Sequence, residues 1–191
     1  MEDTILLQQI IGGHPDAFKQ LVEHYQYKVV NTCYGFVHNK EDAEDIAQEV
    51  FLEVYRAIAN FRAEAQLSTW LYRIAVTKSL DFLRKQKRQK RLGYIRNILG
   101  LDNQVEQVPA PQSANPQAIL ENQERARILQ QAVDSLAENQ KIAITLHKYE
   151  GFSYQEIADI MGTSISAVES LIHRAKSSLQ KKLYHYYEQH L

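Results

Sequence analysis

Residues 153–183, SYQEIADIMGTSISAVESLIHRAKSSLQKKL, leave the chain fewest choices. Ser153 followed three residues later by Glu156 is a capping box, so a helix opens there and runs to about Met161. Gly162 supplies the left-handed position that ends a helix at little cost. Ser164 or Ser166 caps a second, longer helix, ending in the cations Lys181 and Lys182. Ile157, Ala158 and Met161 form one apolar face; Val168, Leu171, Ile172, Ala175 and Leu179 form the other at three- and four-residue steps. Ala158 is small where the two helices must approach. Caps, glycine and both faces agree in register, as in a helix-turn-helix, whose second helix enters the major groove of DNA. An ordinary helical hairpin requires no such agreement.

The rest of the chain reads as helical too. Only seven Gly and four Pro in 191 residues disfavour a turn-rich β fold. Residues 3–11 form a short amphipathic helix ended by Gly12 and Gly13, and Pro15 and Asp16 restart the chain. Phe18, Leu21, Val22, Tyr25, Val29, Val30 and Cys33 mark the core face of the next helix. Asn39 caps a helix over roughly 40–60, with Ala43, Ile46, Ala47, Val50, Val54 and Ile58 as its buried stripe. Its other face carries Glu44, Asp45, Gln48, Glu49, Leu52, Glu53 and Arg56. The helix dipole accounts for part of that acidity, but not for Phe51 and Leu52 beside it. After a polar loop, Ser68 or Thr69 caps a helix beginning at Trp70, with Leu71, Ile74, Ala75, Leu80 and Leu83 buried.

That helix carries a basic run: Arg73, Lys78, Arg84, Lys85, Lys87, Arg88, Lys90 and Arg91. Phe61 and Trp70 at the ends of the loop, with Arg62 and Arg73, are ingredients for holding an unstacked base; Trp70 itself reads more readily as a core anchor than as a direct base contact. Residues 100–116 change character, with Pro109, Pro111 and Pro116 among polar residues and no apolar period, which marks a linker. Two further helices, 117–135 and 138–149, precede the helix-turn-helix. The expected fold is all-α, with two small helical domains, 1–96 and 117–191, joined by a flexible linker, 97–116.

The formal net charge of -1 excludes a uniformly basic nucleic-acid binder, yet the charge is segregated into an acidic 41–49 and a basic 84–91. A chain that meets DNA on one face and a basic protein on another has this pattern. A single cysteine permits no internal disulfide and fits a reducing cytoplasm; Cys33 reads as a small core residue. No signal peptide or stretch of about 18 apolar residues is seen. The seven His residues form no H-E-x-x-H or Cys/His metal spacing, and no glycine-rich phosphate loop occurs, so neither metal, cofactor nor small-molecule substrate is expected.

Three segments, EDAEDIAQEVFLEVYRAI (41–58), LSTWLYRIAVTKSLDFLRK (67–85) and GFSYQEIADIMGTSISAVESLIHRAKSSLQKKL (151–183), in this order and spacing resemble the bacterial sigma-70-type RNA polymerase initiation factors, in particular the small extracytoplasmic-function (ECF) group. The resemblance implies a cytoplasmic, non-enzymatic specificity subunit. It places Asp45, Gln48, Glu49 and Leu52 against the β′ clamp helices of core RNA polymerase, with the β flap as a further contact. It places the loop residues Arg62, Glu64, Gln66 and Ser68, with Arg73, Lys78 and Arg84, at the promoter -10 element, where a base is flipped and melting needs no ATP. Thr163, Ser164, Ser166, Ser170, His173 and Arg174 fall on the part that reads the -35 element. An anti-sigma factor is the implied regulator. Glu169 stands where Arg or Lys is common in the family, Leu171 where Arg is frequent, and Thr77 where Asn is frequent; Glu169 can accept from a cytosine amino group. A stand-alone helix-turn-helix repressor or activator is the alternative reading, and it leaves 41–85 unexplained.

Overall fold

The computed structural model describes residues 2–14, 16–61, 66–98 and 116–190. Among these it contains eight α-helices and one short 3-10 turn: α1 (Glu2–Ile11), α2 (Ala17–Val37), α3 (Lys40–Ala57), the turn (Ile58–Asn60), α4 (Leu67–Ile98), α5 (Pro116–Asp134), α6 (Glu138–Tyr149), α7 (Tyr154–Met161) and α8 (Ile165–His190). Residues 99–115 of the linker expected at 97–116, and the loop residues 62–65 with Arg62 and Glu64, lie outside the described residues, as does Pro15; residues 97 and 98 close α4 and Pro116 opens α5.

Helices α2, α3 and α4 pack on one another and form the N-terminal core. Leu21, Val29, Cys33, Phe36, Val50, Val54 and Leu71 are almost wholly shielded from water there. The expected stripe of α3 is buried at every position. Asn39 Oδ1 accepts from the Asp42 N–H at 2.9 Å, which satisfies one of the orphan donors at the start of α3. His38 ends α2 in the left-handed region at φ 54°, its N–H returning to the Tyr34 carbonyl.

In the C-terminal half, α8 packs against α5, α6 and α7. The capping box at α7 is complete. Ser153 Oγ accepts from the Glu156 N–H at 3.3 Å, while the Glu156 carboxylate accepts from the Ser153 N–H at 2.8 Å. Gly162 ends the helix at φ 64°. Ser164, not Ser166, caps α8, its Oγ accepting from the Ala167 N–H at 3.2 Å.

Two boundaries and one burial differ from the sequence reading. Helix α4 starts at Leu67, so Ser68 and Thr69 lie inside its first turn. Leu67 is buried, and its apolar anchoring draws the start of the helix back past both hydroxyl caps. Helix α8 continues past Lys181 and Lys182 to His190, because no Gly or Pro follows to stop it. Phe51 is buried although it adjoins the exposed acidic face of α3.

The two halves also touch. Helix α2 packs on α6, and α4 on α7, so the buried residues of both halves join in one continuous apolar cluster. The Tyr72 and Phe152 rings meet edge to face across this seam, with centroids 4.8 Å apart.

Candidate nucleic-acid and polymerase interfaces

Three surfaces carry the residues singled out by the sequence. On α3, Asp45, Gln48, Glu49 and Leu52 are all exposed and share one face, opposite the buried stripe. Leu52 is 54% exposed and Tyr55, one turn on, 63%. Exposed apolar side chains ringed by carboxylates form a surface suited to a basic partner with an apolar centre. Beside it runs a groove of about 440 Å³ between α2 and α3, lined by Val22, Tyr27, Val30, Glu44, Gln48 and Phe51. The sequence reading missed Tyr27 as part of this region. Its signal was an aromatic on the polar side of α2, where it is 75% exposed.

The second surface is α4 and the loop before it. Gln66 is exposed, its carbonyl accepting from the Trp70 N–H. Ser68 is half-buried. Trp70 is half-buried and stacks on Phe61, with ring centroids 4.8 Å apart at 29°. The pair tethers the two ends of the loop, and both rings also pack on the core. The three α4 cations expected at the -10 element are engaged within the chain. Lys78 meets Glu53 at 2.7 Å, and the hydrogen bond raises its pKa. Arg84 reaches Asp81 at 2.8 Å and Glu138 at 2.7 Å. Arg73 donates through Nη2 to the Asp159 carbonyl at 2.5 Å and through Nε to the Asp159 and Ile160 carbonyls at 3.2 Å. Those carbonyls belong to the last turn of α7, where a helix leaves acceptors unsatisfied and carries partial negative charge.

The third surface is the outer face of α7 and α8. Thr163, Ser164, Ser166, Ser170, His173 and Arg174 are all exposed. Glu169, Ser170, His173 and Arg174 border one shallow depression. Arg174 Nε donates to the Ser170 carbonyl at 3.1 Å, so its guanidinium lies along the helix. Glu169 makes no hydrogen bond or ion pair among the described residues. Those residues likewise contain no cluster of metal-ligating side chains and no helix long and apolar enough to cross a membrane.

An α-helical chain with an acidic apolar-centred ridge, a long basic helix behind a polar loop, and a capped helix-turn-helix has the parts of a transcription-initiation specificity subunit. Comparison with known proteins agrees. Residues 21–89 match the family model for Sigma-70 region 2, and residues 126–179 that for Sigma-70, region 4. The chain is 32% identical to the RNA polymerase sigma-H factor of Pseudomonas aeruginosa over 186 residues, 95% of this chain and 94% of that protein. It is 32% identical to the ECF RNA polymerase sigma-E factor of Escherichia coli K12 over 183 residues, 96% and 95% of the two chains. The fold resembles that of CnrH in complex with the cytosolic domain of CnrY, with TM-score 0.65 and 24% identity over 95% of this chain and 96% of that one. It also resembles the sigma factor RpoE bound to the anti-sigma factor NepR from Bartonella quintana, with TM-score 0.57 and 23% identity over 88% and 98%. The chain belongs to the sigma-70 family of RNA polymerase sigma factors, in its ECF group.

Proposed function

We propose that the three surfaces divide the work of a sigma factor as follows. Asp45, Gln48, Glu49 and Leu52 on α3 dock on the β′ clamp helices of core polymerase. The loop before α4, with Arg62, Glu64, Gln66 and Ser68, and the cations Arg73, Lys78 and Arg84 hold the single strand of the -10 element. There, binding of the extruded base offsets the few kcal/mol, roughly, that unpairing costs. Thr163, Ser164, Ser166, Ser170, His173 and Arg174 address the -35 element in the major groove. The working domains are 1–96 and 117–191, with 97–116 between them, and the β flap contacts the second. The chain acts in the cytoplasm as a dissociable subunit rather than as an enzyme. An anti-sigma factor restrains it, a reading supported by the similar sigma factor RpoE of Bartonella quintana, which is found in complex with the anti-sigma factor NepR.

Glu169 adds a specificity of its own. A carboxylate facing the groove is repelled by phosphate and cannot donate to guanine, so it selects a base that offers an amino group, cytosine above all. The exposed, unpaired placement of Glu169 among the groove-facing serines supports this reading.

The observation that carries the proposal is the presence, in one fold, of the exposed acidic face of α3 and the capped helix-turn-helix with its polar outer face. The test is transcription in vitro with purified core polymerase and the factor on genomic fragments. Specific start sites that depend on the factor are expected. Their absence on every fragment refutes the function. A stand-alone repressor would bind an operator without co-purifying with core polymerase.

A further inference from the structure

The C-terminal half holds a cavity that the proposed function does not use. It measures about 770 Å³ and lies where α5, α6 and α8 meet the end of α2. That volume falls in the range of small-molecule sites, which are mostly apolar with a few placed polar groups. Leu129, Val133, Ile144 and Leu179 give it an apolar wall. Tyr34 and Leu129, which also border it, remain 42% and 46% exposed, so the wall is incompletely covered.

The polar groups of the cavity have one sign. Arg127, Lys148 and Lys176 come from three different helices, and no Asp or Glu lines it among the described residues. Glu124 accepts from Arg127 Nη2 at 2.8 Å and from Nε at 3.0 Å. Lys148 and Lys176 are exposed and have no hydrogen bond or ion pair among the described residues. Two ammonium groups beside one cavity, with no carboxylate between them, repel each other. An anion set between them relieves that repulsion and gains charge-assisted hydrogen bonds.

Thr145 adds a neutral donor. It is 2% exposed, and its Oγ1 is buried without a hydrogen-bond partner among the described residues. A buried hydroxyl left unmatched is costly, and a ligand oxygen accepting from it would remove that cost. Thr145 and Ile144 stand three and four residues before Lys148, so hydroxyl, apolar wall and cation share one face of α6. On α8, Lys176 and Leu179 repeat the pairing of a cation with an apolar side chain one turn away.

We propose that this cavity binds one molecule of a small anionic amphiphile. Its aliphatic or aromatic body lies against Leu129, Val133, Ile144 and Leu179. Its carboxylate or phosphate head sits between Lys148 and Lys176 and accepts from the Thr145 hydroxyl. No residue of the cavity is assigned to the clamp helices or to the promoter elements, so the site is testable apart from those assignments.

The test is fluorescence titration of the full chain with anilinonaphthalene sulfonate, an aromatic body carrying one sulfonate, followed by displacement. One bound probe per chain is expected. Decanoate and decyl phosphate should displace it, and the stronger of the two identifies the preferred head; decanol, with the same tail and no charge, should not. Lys148→Glu combined with Lys176→Glu should raise Kd for the probe about tenfold or more, because the head then meets two carboxylates. Lys148→Arg combined with Lys176→Arg keeps the charge and should stay within about threefold of wild type. Lys19→Glu, near the opposite end of α2, alters net charge away from the cavity and should bind as wild type. Thr145→Val keeps the shape of the side chain and should weaken binding roughly two- to fivefold without lowering the Tm of the ligand-free chain. Saturating decanoate should raise Tm in wild type and not in the double glutamate variant, since a ligand that binds only the folded chain stabilises it. Absent binding, several probes per chain, displacement by decanol as readily as by decanoate, or unchanged affinity in a double glutamate variant that melts like wild type overturns the site. Unchanged affinity in Thr145→Val overturns the part given to its hydroxyl.

Discussion

Replacing both Asp45 and Glu49 by lysine tests the proposed docking face with folding as its internal control. Both side chains are exposed on α3, and neither has a hydrogen bond or ion pair among the described residues. Both lie beyond the first turn, where the helix dipole acts most strongly. The lysine replacing Asp45 would stand four residues after Glu41, a favourable pairing on a helix. The one replacing Glu49 would stand four residues before Glu53, which Lys78 already holds at 2.7 Å. The change in folding stability should therefore stay within about 0.5 kcal/mol. For a chain of this size that is a shift of about 2 °C or less in Tm. Across the interface, opposite charges become like charges, which costs several kcal/mol. Taking about 3 kcal/mol, Kd for core polymerase should rise by more than a hundredfold. Competition against a labelled wild-type chain for purified core enzyme reads the affinity, and circular dichroism with thermal melting reads the fold. A double variant that melts like wild type and competes equally well refutes the assignment of this face.

Three further expectations concern the C-terminal half and the seam. Ser153→Ala removes the side-chain acceptor of the Glu156 N–H and should cost about 1 kcal/mol, a fall of roughly 2–4 °C in Tm by calorimetry. Glu169→Arg should move the preferred base from cytosine to guanine at one position of the -35 element, with discrimination of about 1–3 kcal/mol; selection from a promoter library randomised there reads it. The packed seam should also depend on pH. Burial pushes the Glu150 carboxyl up to about 7, against the opposing pull of Lys28 on α2. Its contribution to closure is therefore full below the ordinary value of 4.5 and is lost as pH rises through 7. His38 is shifted the other way, below 6.5, by burial and then by Lys141, against the opposing pull of Asp134. Its contribution is present above 6.5 and lost as pH falls through the lowered value. Energy transfer between the halves should accordingly show closure weakening toward alkaline pH in wild type. In Glu150→Gln the alkaline loss should vanish while the acid-side loss remains.

The seam carries more ionic chemistry than these two groups. Burial alone would raise the Asp134 carboxyl, but hydrogen bonds from Lys141 and Gln130 outweigh it and leave its pKa lowered. Lys141 itself is almost fully enclosed and paired with Asp134. Breaking such a pair by removing one partner leaves a buried charge, which makes it the less suitable place to probe the seam.

Much of this protein is legible residue by residue. Asn39, Ser153 with Glu156, and Gly162 act within three or four positions of their own helix, so their hydrogen bonds and dihedral angles follow from local spacing. The buried stripe of α3 follows from its period, and so does the exposure of Asp45, Gln48, Glu49 and Leu52 on the other side. Where apolar packing competes with a local signal, spacing alone did not decide: Leu67 begins α4 ahead of two hydroxyl caps, and Phe51 turns inward from an acidic face. The tertiary structure alone brought Arg73 to Asp159, 86 positions away, and Arg84 to Glu138, 54 away. A basic residue on a helix surface looks the same in sequence whether it awaits a phosphate or already holds a carbonyl, because its partner is chosen by the packing of distant helices and not by its neighbours along the chain.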